Sequence, residues 1–268
     1  MNIGFFDSGM GGITVLADAL NFFNSQNFIY YADTKNVPYG IKKKAKVKKY
    51  IFDSVDFLVD KKIDGLVVAC NTATSIAIND LRKRYAFPII GMEPAVKPAV
   101  EKNNKKGKNK KVLVLATELT LKERKFNNLV KKLNSRDIVE SLPLSKLVTY
   151  VEDKMFEEKK IFKYLKKKFK NIDFKEFSTV VLGCTHFIFY LNYFKKFLPD
   201  DIKIIDGNIG TIKHLKNILF NKGFSLNEDN KKNNINFYSS KKSDKDYKKF
   251  IFLLNYYNQN IRRNIKCL

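Results

Sequence analysis

The stretch Val67-Val68-Ala69-Cys70-Asn71-Thr72-Ala73-Thr74 (VVACNTAT) is an apolar run that ends on a cysteine and turns at once into small polar residues. Such a run, bounded by a helical pattern, reads as a strand buried on both faces, as in parallel sheets covered by helices. Taken alone, Cys70 is read as core, because a free thiol packs as a small hydrophobe. The stretch Val180-Val181-Leu182-Gly183-Cys184-Thr185-His186-Phe187 (VVLGCTHF) ends the same way. Two buried strands of one plan, each delivering a thiol at its carboxyl end, point to an α/β chain made of two similar parallel-sheet domains.

Working outward, short apolar runs alternate with segments of helical period. Strands are expected over 3–6, 28–32, 65–69 and 88–91, and helices over 12–23, 43–61 and 75–85. After a lysine- and asparagine-rich linker at 102–111 the alternation resumes, with strands at 112–116, near 138, at 180–182 and at 202–205. Helices are expected there over 122–133, 156–169 and 190–197. The expected organisation is a first α/β domain at 1–93, a second at 94–206, and a C-terminal segment at 207–268 that packs back on the first. The early strand of the first half delivers Asp7 and Ser8, and a later one delivers Cys70, Asn71 and Thr72. In the second half the matching positions hold Thr117, then Cys184, Thr185 and His186. The offsets are 110 residues from Asp7 to Thr117 and 114 from Cys70 to Cys184. Open α/β sheets bind ligands at the carboxyl ends of their strands, so two such edges facing each other form a cleft between the domains.

Composition narrows the class. With 268 residues and 44% hydrophobic content, the chain can bury one large core or two small ones. No apolar run reaches the roughly 18 residues of a membrane-spanning helix. The start, MNIGFFDSGMGG, lacks the basic, apolar and cleavage regions of a secretory signal, and a cytoplasmic location is expected. Three cysteines without CxxC spacing and two histidines supply neither a disulfide framework nor a structural zinc site. The formal charge of +24 points, taken at face value, to nucleic acid or another anionic surface. Yet the lysines are spread through helical stretches, and the dense runs at 42–49 and 102–111 carry no interleaved aromatics for base stacking. Solvated helix faces and a linker account for them, and neither a nucleic acid nor a membrane is expected as a partner. Cys267 and His214, in the tail and in a lysine-rich helix, are read as a terminal thiol and a surface residue.

The site residues permit a limited chemistry. FFDSGMGG (5–12) sets an acid and a hydroxyl at a strand end, then glycines that turn tightly into a helix N-terminus able to face an anion. It has neither GxGxxG nor Walker spacing. Helix N-termini and cationic neighbours lower a thiol's pKa, which makes strand-to-helix turns sensible places for reactive cysteines. Asp7 and His186 are placed to relay protons or tune charge. Two thiols facing one cleft could be a redox pair, a nucleophile with a resolving partner, or two acid/base groups on opposite faces of a substrate. The mirrored arrangement fits the third use best, since a racemase removes a proton from one face of an α-carbon and returns one to the other.

The motifs DSGMGG at Asp7, PYG at Pro38, CNTAT at Cys70, GMEPAVKPA at Gly91, LVTYVE ending at Glu152 and GCTH at Gly183 occur together and in order. In this the chain resembles the bacterial glutamate racemases of the cofactor-independent amino-acid racemase group. The resemblance implies that Cys70 takes the α-proton of D-glutamate and Cys184 that of L-glutamate, with Asp7, Glu152 and His186 assisting. It further implies that Asp7, Ser8, Tyr39, Gly40, Asn71, Thr72, Thr117, Thr185 and His186 hold the substrate, with no metal and no cofactor. The implied partner is glutamate itself, a homodimer is left open, and the implied role is D-glutamate supply for peptidoglycan and cell shape. An aspartate racemase of the same group is the nearest alternative, and a basic nucleic-acid binder on this fold the more distant one. The group's usual proline after the histidine is replaced by Phe187-Ile188-Phe189.

Overall fold

The computed structural model describes residues 1–104, 110–224 and 232–261, so Cys267 and the centre of the lysine linker lie outside the described residues. The first part of the chain runs β1 (Asn2–Asp7), α1 (Ile13–Ala19), β2 (Asn27–Ala32), α2 (Lys44–Asp60), β3 (Gly65–Val68), α3 (Asn71–Arg84) and β4 (Ile89–Gly91). The second runs α4 (Val96–Asn104), β5 (Lys111–Ala116), α5 (Glu118–Lys122), α6 (Arg124–Lys132), β6 (Val139–Pro143) and α7 (Lys146–Glu152). It continues through α8 (Glu158–Lys168), β7 (Phe177–Leu182), α9 (Leu191–Phe197) and β8 (Lys203–Asp206). The chain closes with α10 (Asn208–Asn221), β9 (Asn234–Ser239) and α11 (Asp244–Asn260).

The strands form two parallel sheets, one ordered β4-β3-β1-β2-β9 and the other β6-β5-β7-β8. Their central strands are apolar on both faces, and Phe5, Phe6, Val67, Val68, Val114, Leu115, Val181 and Leu182 are all buried. Alternation sends Phe6, Leu66 and Val68 against α2 and α3, and Ile3, Phe5, Val67 and Ala69 to the opposite face. Helix α2 meets its sheet through Val47, Ile51, Val55 and Leu58, one stripe of a 3.6-residue period. The late strand β9 adds in parallel to β2, with Phe28 opposite Ile235. Among the described residues no helix is long and apolar enough to cross a membrane.

Several elements differ from the expected ones for local reasons. Helix α3 starts at Asn71 rather than near 75, because Cys70 is its N-cap and its sulfur accepts the Ala73 N–H at 3.4 Å. The helix expected over 122–133 is α6, which starts after an extended Glu123, and the short α5 before it was not expected. Helices α4 and α7 occupy stretches where none was expected. Both are short, and α7 buries Leu147, Val148 and Val151, too few residues to stand out as a period.

Candidate active site

Each sheet reverses its winding after its second strand. In the first the chain steps from β1 outward to β2 and then to β3 on the other side; in the second it steps from β5 to β6 and then to β7. Crevices at the carboxyl ends of strands open at such switch points. Asp7 ends β1 and Cys70 follows β3, while Thr117 follows β5 and Cys184 follows β7. All four stand at the two reversal points, and contacts between the halves join them. Thr185 Oγ1 donates to Asp7 Oδ2 at 3.1 Å, and the Met10 N–H donates to Glu152 Oε1 at 2.7 Å.

On the β3 side Cys70 donates to Ser8 Oγ at 3.4 Å. Burial raises the Cys70 thiol to about 12, the Asp7 carboxylate adds to this, and the hydrogen bonds with Ser8 and Ala73 offset only part. This corrects the expectation that the helix N-terminus holds the thiol low: in a dry site desolvation outweighs the one N–H that α3 offers. Cys184 lies close enough to add a small further rise to Cys70. Asp7 is fully buried and accepts the Gly9 N–H at 3.0 Å. Burial raises it to about 6, against the lowering by His186 and Gly9.

The β7 side is built as a chain of polar groups. His186 Nδ1 lies 3.9 Å from the Cys184 sulfur and its Nε2 lies 3.0 Å from Glu152 Oε1. Glu152 Oε2 takes the Lys249 ammonium at 3.2 Å. Burial works against a charged imidazole, but the contacts with Cys184 and Glu152 and the charge of Asp7 raise His186 to about 10. As an imidazolium it donates from both nitrogens, one toward Glu152 and one toward Cys184. Burial alone would raise Glu152; His186, Lys249 and the Met10 N–H bring it below its usual value. Glycines make room for this chain, since a Cβ on Gly9 would stand 2.2 Å from Glu152 Oε1 and one on Gly11 2.2 Å from His186 Nδ1.

The remaining expected residues divide. Thr72, Thr117 and Thr120 bring their hydroxyls together in a ring, each pair 3.0 Å apart, that joins α3 to the start of α5. Gly40 packs against Thr117. The Tyr39 hydroxyl donates to Asp33 at 2.6 Å and lies near enough to Cys70 to feel its charge, and Asn71 donates its amide to the Met92 carbonyl at 3.2 Å. Sequence reading missed Thr120 and Lys249. Thr120 follows the α5 cap Thr117 by three positions, the usual capping distance. Lys249 lies beside the inward stripe Asp246, Phe250, Leu253 and Tyr257 of α11, an unusual place for a lysine. His214 is exposed on α10, as its sequence context suggests.

Residues 21–214 match the model of a known family, described as Asp/Glu/Hydantoin racemase. The chain belongs to that racemase family. Among its racemase relatives, the glutamate racemase of Halothermothrix orenii is 54% identical over 254 residues, 95% of this chain and 99% of that one. The crystal structure of the Campylobacter jejuni glutamate racemase matches with a TM-score of 0.81 at 30% identity, covering 98% of this chain and 100% of that one. The Francisella tularensis glutamate racemase, solved in complex with D-glutamate, matches with a TM-score of 0.81 at 25% identity, covering 95% and 93%. This racemase-family chain therefore carries its two thiols on a fold shared with glutamate racemases along nearly its whole length.

Proposed function

We propose that the protein interconverts L- and D-glutamate by proton transfer at the α-carbon, with Cys70 and Cys184 as the two acid/base groups. The observation that carries this reading is the mirrored pair of buried thiols at the two sheet reversals. A two-base racemisation needs one thiolate and one thiol at the start. From L-glutamate the Cys184 thiolate takes the α-proton while the Cys70 thiol gives one to the opposite face. D-glutamate leaves, and the protonation states of the sulfurs are exchanged; the reverse reaction runs the roles backward. The Asp7 and Ser8 groups serve the Cys70 side and the His186–Glu152 pair the Cys184 side. Thr72, Thr117, Thr185, Asn71, Tyr39 and Gly40 belong to the substrate-binding wall. Donors fixed in a dry cleft stabilise charge developing on the substrate carboxylate, by several kcal/mol in comparable sites. The D-glutamate formed serves as a precursor for peptidoglycan, the pathway of the glutamate racemases it resembles.

The test is incubation of the purified protein with L-glutamate in D₂O without added cofactor, following α-proton exchange and optical rotation. Both should change together. Cys70→Ser and Cys184→Ser should each lower racemisation by about 10²–10⁴-fold, the scale of a lost acid/base group. Full activity in either variant would remove the two-thiol assignment.

A further inference from the structure

We propose that Lys249, on the last helix, is a positioning residue for the Cys184 half of the site and acts through Glu152; this rests on the reading of Cys184 as one of the two proton-transfer groups. Glu152 Oε1 is held by two donors, the Met10 N–H at 2.7 Å and His186 Nε2 at 3.0 Å. Oε2 is held by the Lys249 ammonium at 3.2 Å. With both oxygens engaged, the carboxylate plane is fixed and its lone pairs point at His186, which in turn faces the Cys184 sulfur. Lysine is a costly choice for this place. Its side chain is 16% exposed and that of Glu152 8%, so both charges give up most of their hydration and keep it replaced only while paired.

The lysine is delivered by α11, whose register is itself pinned. Ser243 caps its start by accepting the Asp246 N–H, Asp246 accepts from Thr34 at 2.5 Å, and Tyr257 donates to Asp18 at 2.9 Å. Helix α11 packs on α1 and β9, elements of the first sheet's layer, whereas Glu152 and His186 come from the second half. Lys249 therefore ties the end of the chain to the proton-relay side of the cleft. The titratable groups facing Glu152 are His186 and Lys249, which favour its charge, and Asp7 and Tyr30, which share its surroundings. Removing the ammonium leaves the carboxylate with His186 as its one charged partner among these and makes it easier to protonate.

The test uses Lys249→Met and Lys249→Arg in the full chain, with Cys184→Ser beside them, and follows both directions of racemisation across pH. Lys249→Met should lower kcat about tenfold with KM changed less than about twofold, the scale of a lost charged hydrogen bond in a positioning group. The loss in kcat/KM should be equal for the two enantiomers, because mirror-image substrates have an equilibrium constant of one. The acid limb of the rate profile should move to higher pH, and Lys249→Arg should restore both the rate and the limb. Should Lys249→Met not fold, Lys249→Gln, which keeps a donor without the charge, should show the same displaced limb. An acid limb left in place, or an arginine variant that restores nothing, would overturn the assignment. Full activity in Cys184→Ser would instead overturn the two-thiol reading, which that variant tests separately.

Discussion

Asp7 and His186 both titrate below neutrality in the unfolded chain, and the folded site moves both upward, Asp7 by burial and His186 by its partners against burial. Asp7 rises from 3.8 to about 6, so its contribution to stability is fully present below about 3.8 and is lost as pH rises through about 6. Above that, the buried carboxylate costs on the order of 1–3 kcal/mol. Asp7→Asn should therefore melt at a higher temperature than the parent at pH 8, with the gain disappearing near pH 4, while racemisation falls. An equal gain at both pH values would refute the link to ionisation. His186 rises from 6.5 to about 10, so the stability it brings is fully present below about 6.5 and is lost as pH rises from there through about 10. The residue that the site depends on for charge is thus also one that its fold favours charged.

At the scale of the element, the decisive feature is the turn from β1 into α1. Gly11 lies so close to the second half that an added Cβ would meet His186 Nδ1 at 2.2 Å and Thr185 Oγ1 at 2.4 Å. Gly11→Ala should displace His186 and lower kcat at least about tenfold with far-UV circular dichroism unchanged; unaltered activity would show that the two halves approach less closely. The strands were legible because burial on both faces leaves uninterrupted apolar runs, as at Val67–Val68 and Val180–Val181. The thiols were legible because the same ending occurs twice. Glu152 was found by motif resemblance only, since α7 is too short to show a period. The start of α3 was misplaced because its cap is a sulfur rather than an oxygen, and capping preferences are written for oxygens. Lys249 was hidden because a lysine in a lysine-rich helix looks solvated until the stripe beside it is seen to be buried.

At the scale of the whole molecule, the candidate site side chains from Asp7 to His186 are nearly sealed, with exposures of 8% or less. The chain crosses between the halves near Met92 and again near Gly207. These crossings touch, with Thr211 donating to the Met92 sulfur at 3.3 Å. Two adjacent crossings form a natural hinge, and the Lys44–Glu123 pair at 2.6 Å is a further tie between the halves. We expect the radius of gyration from small-angle scattering to fall when glutamate is added; no compaction would argue against closure about this line. The ring of Thr72, Thr117 and Thr120 has a further consequence. Three hydroxyls in a closed cycle can pass their hydrogens round in either sense, and in both senses all three hydrogens are spent within the ring. An arriving carboxylate would have to open the ring before any of the three could donate to it, whereas an arriving ammonium could be accepted by the ring as it stands.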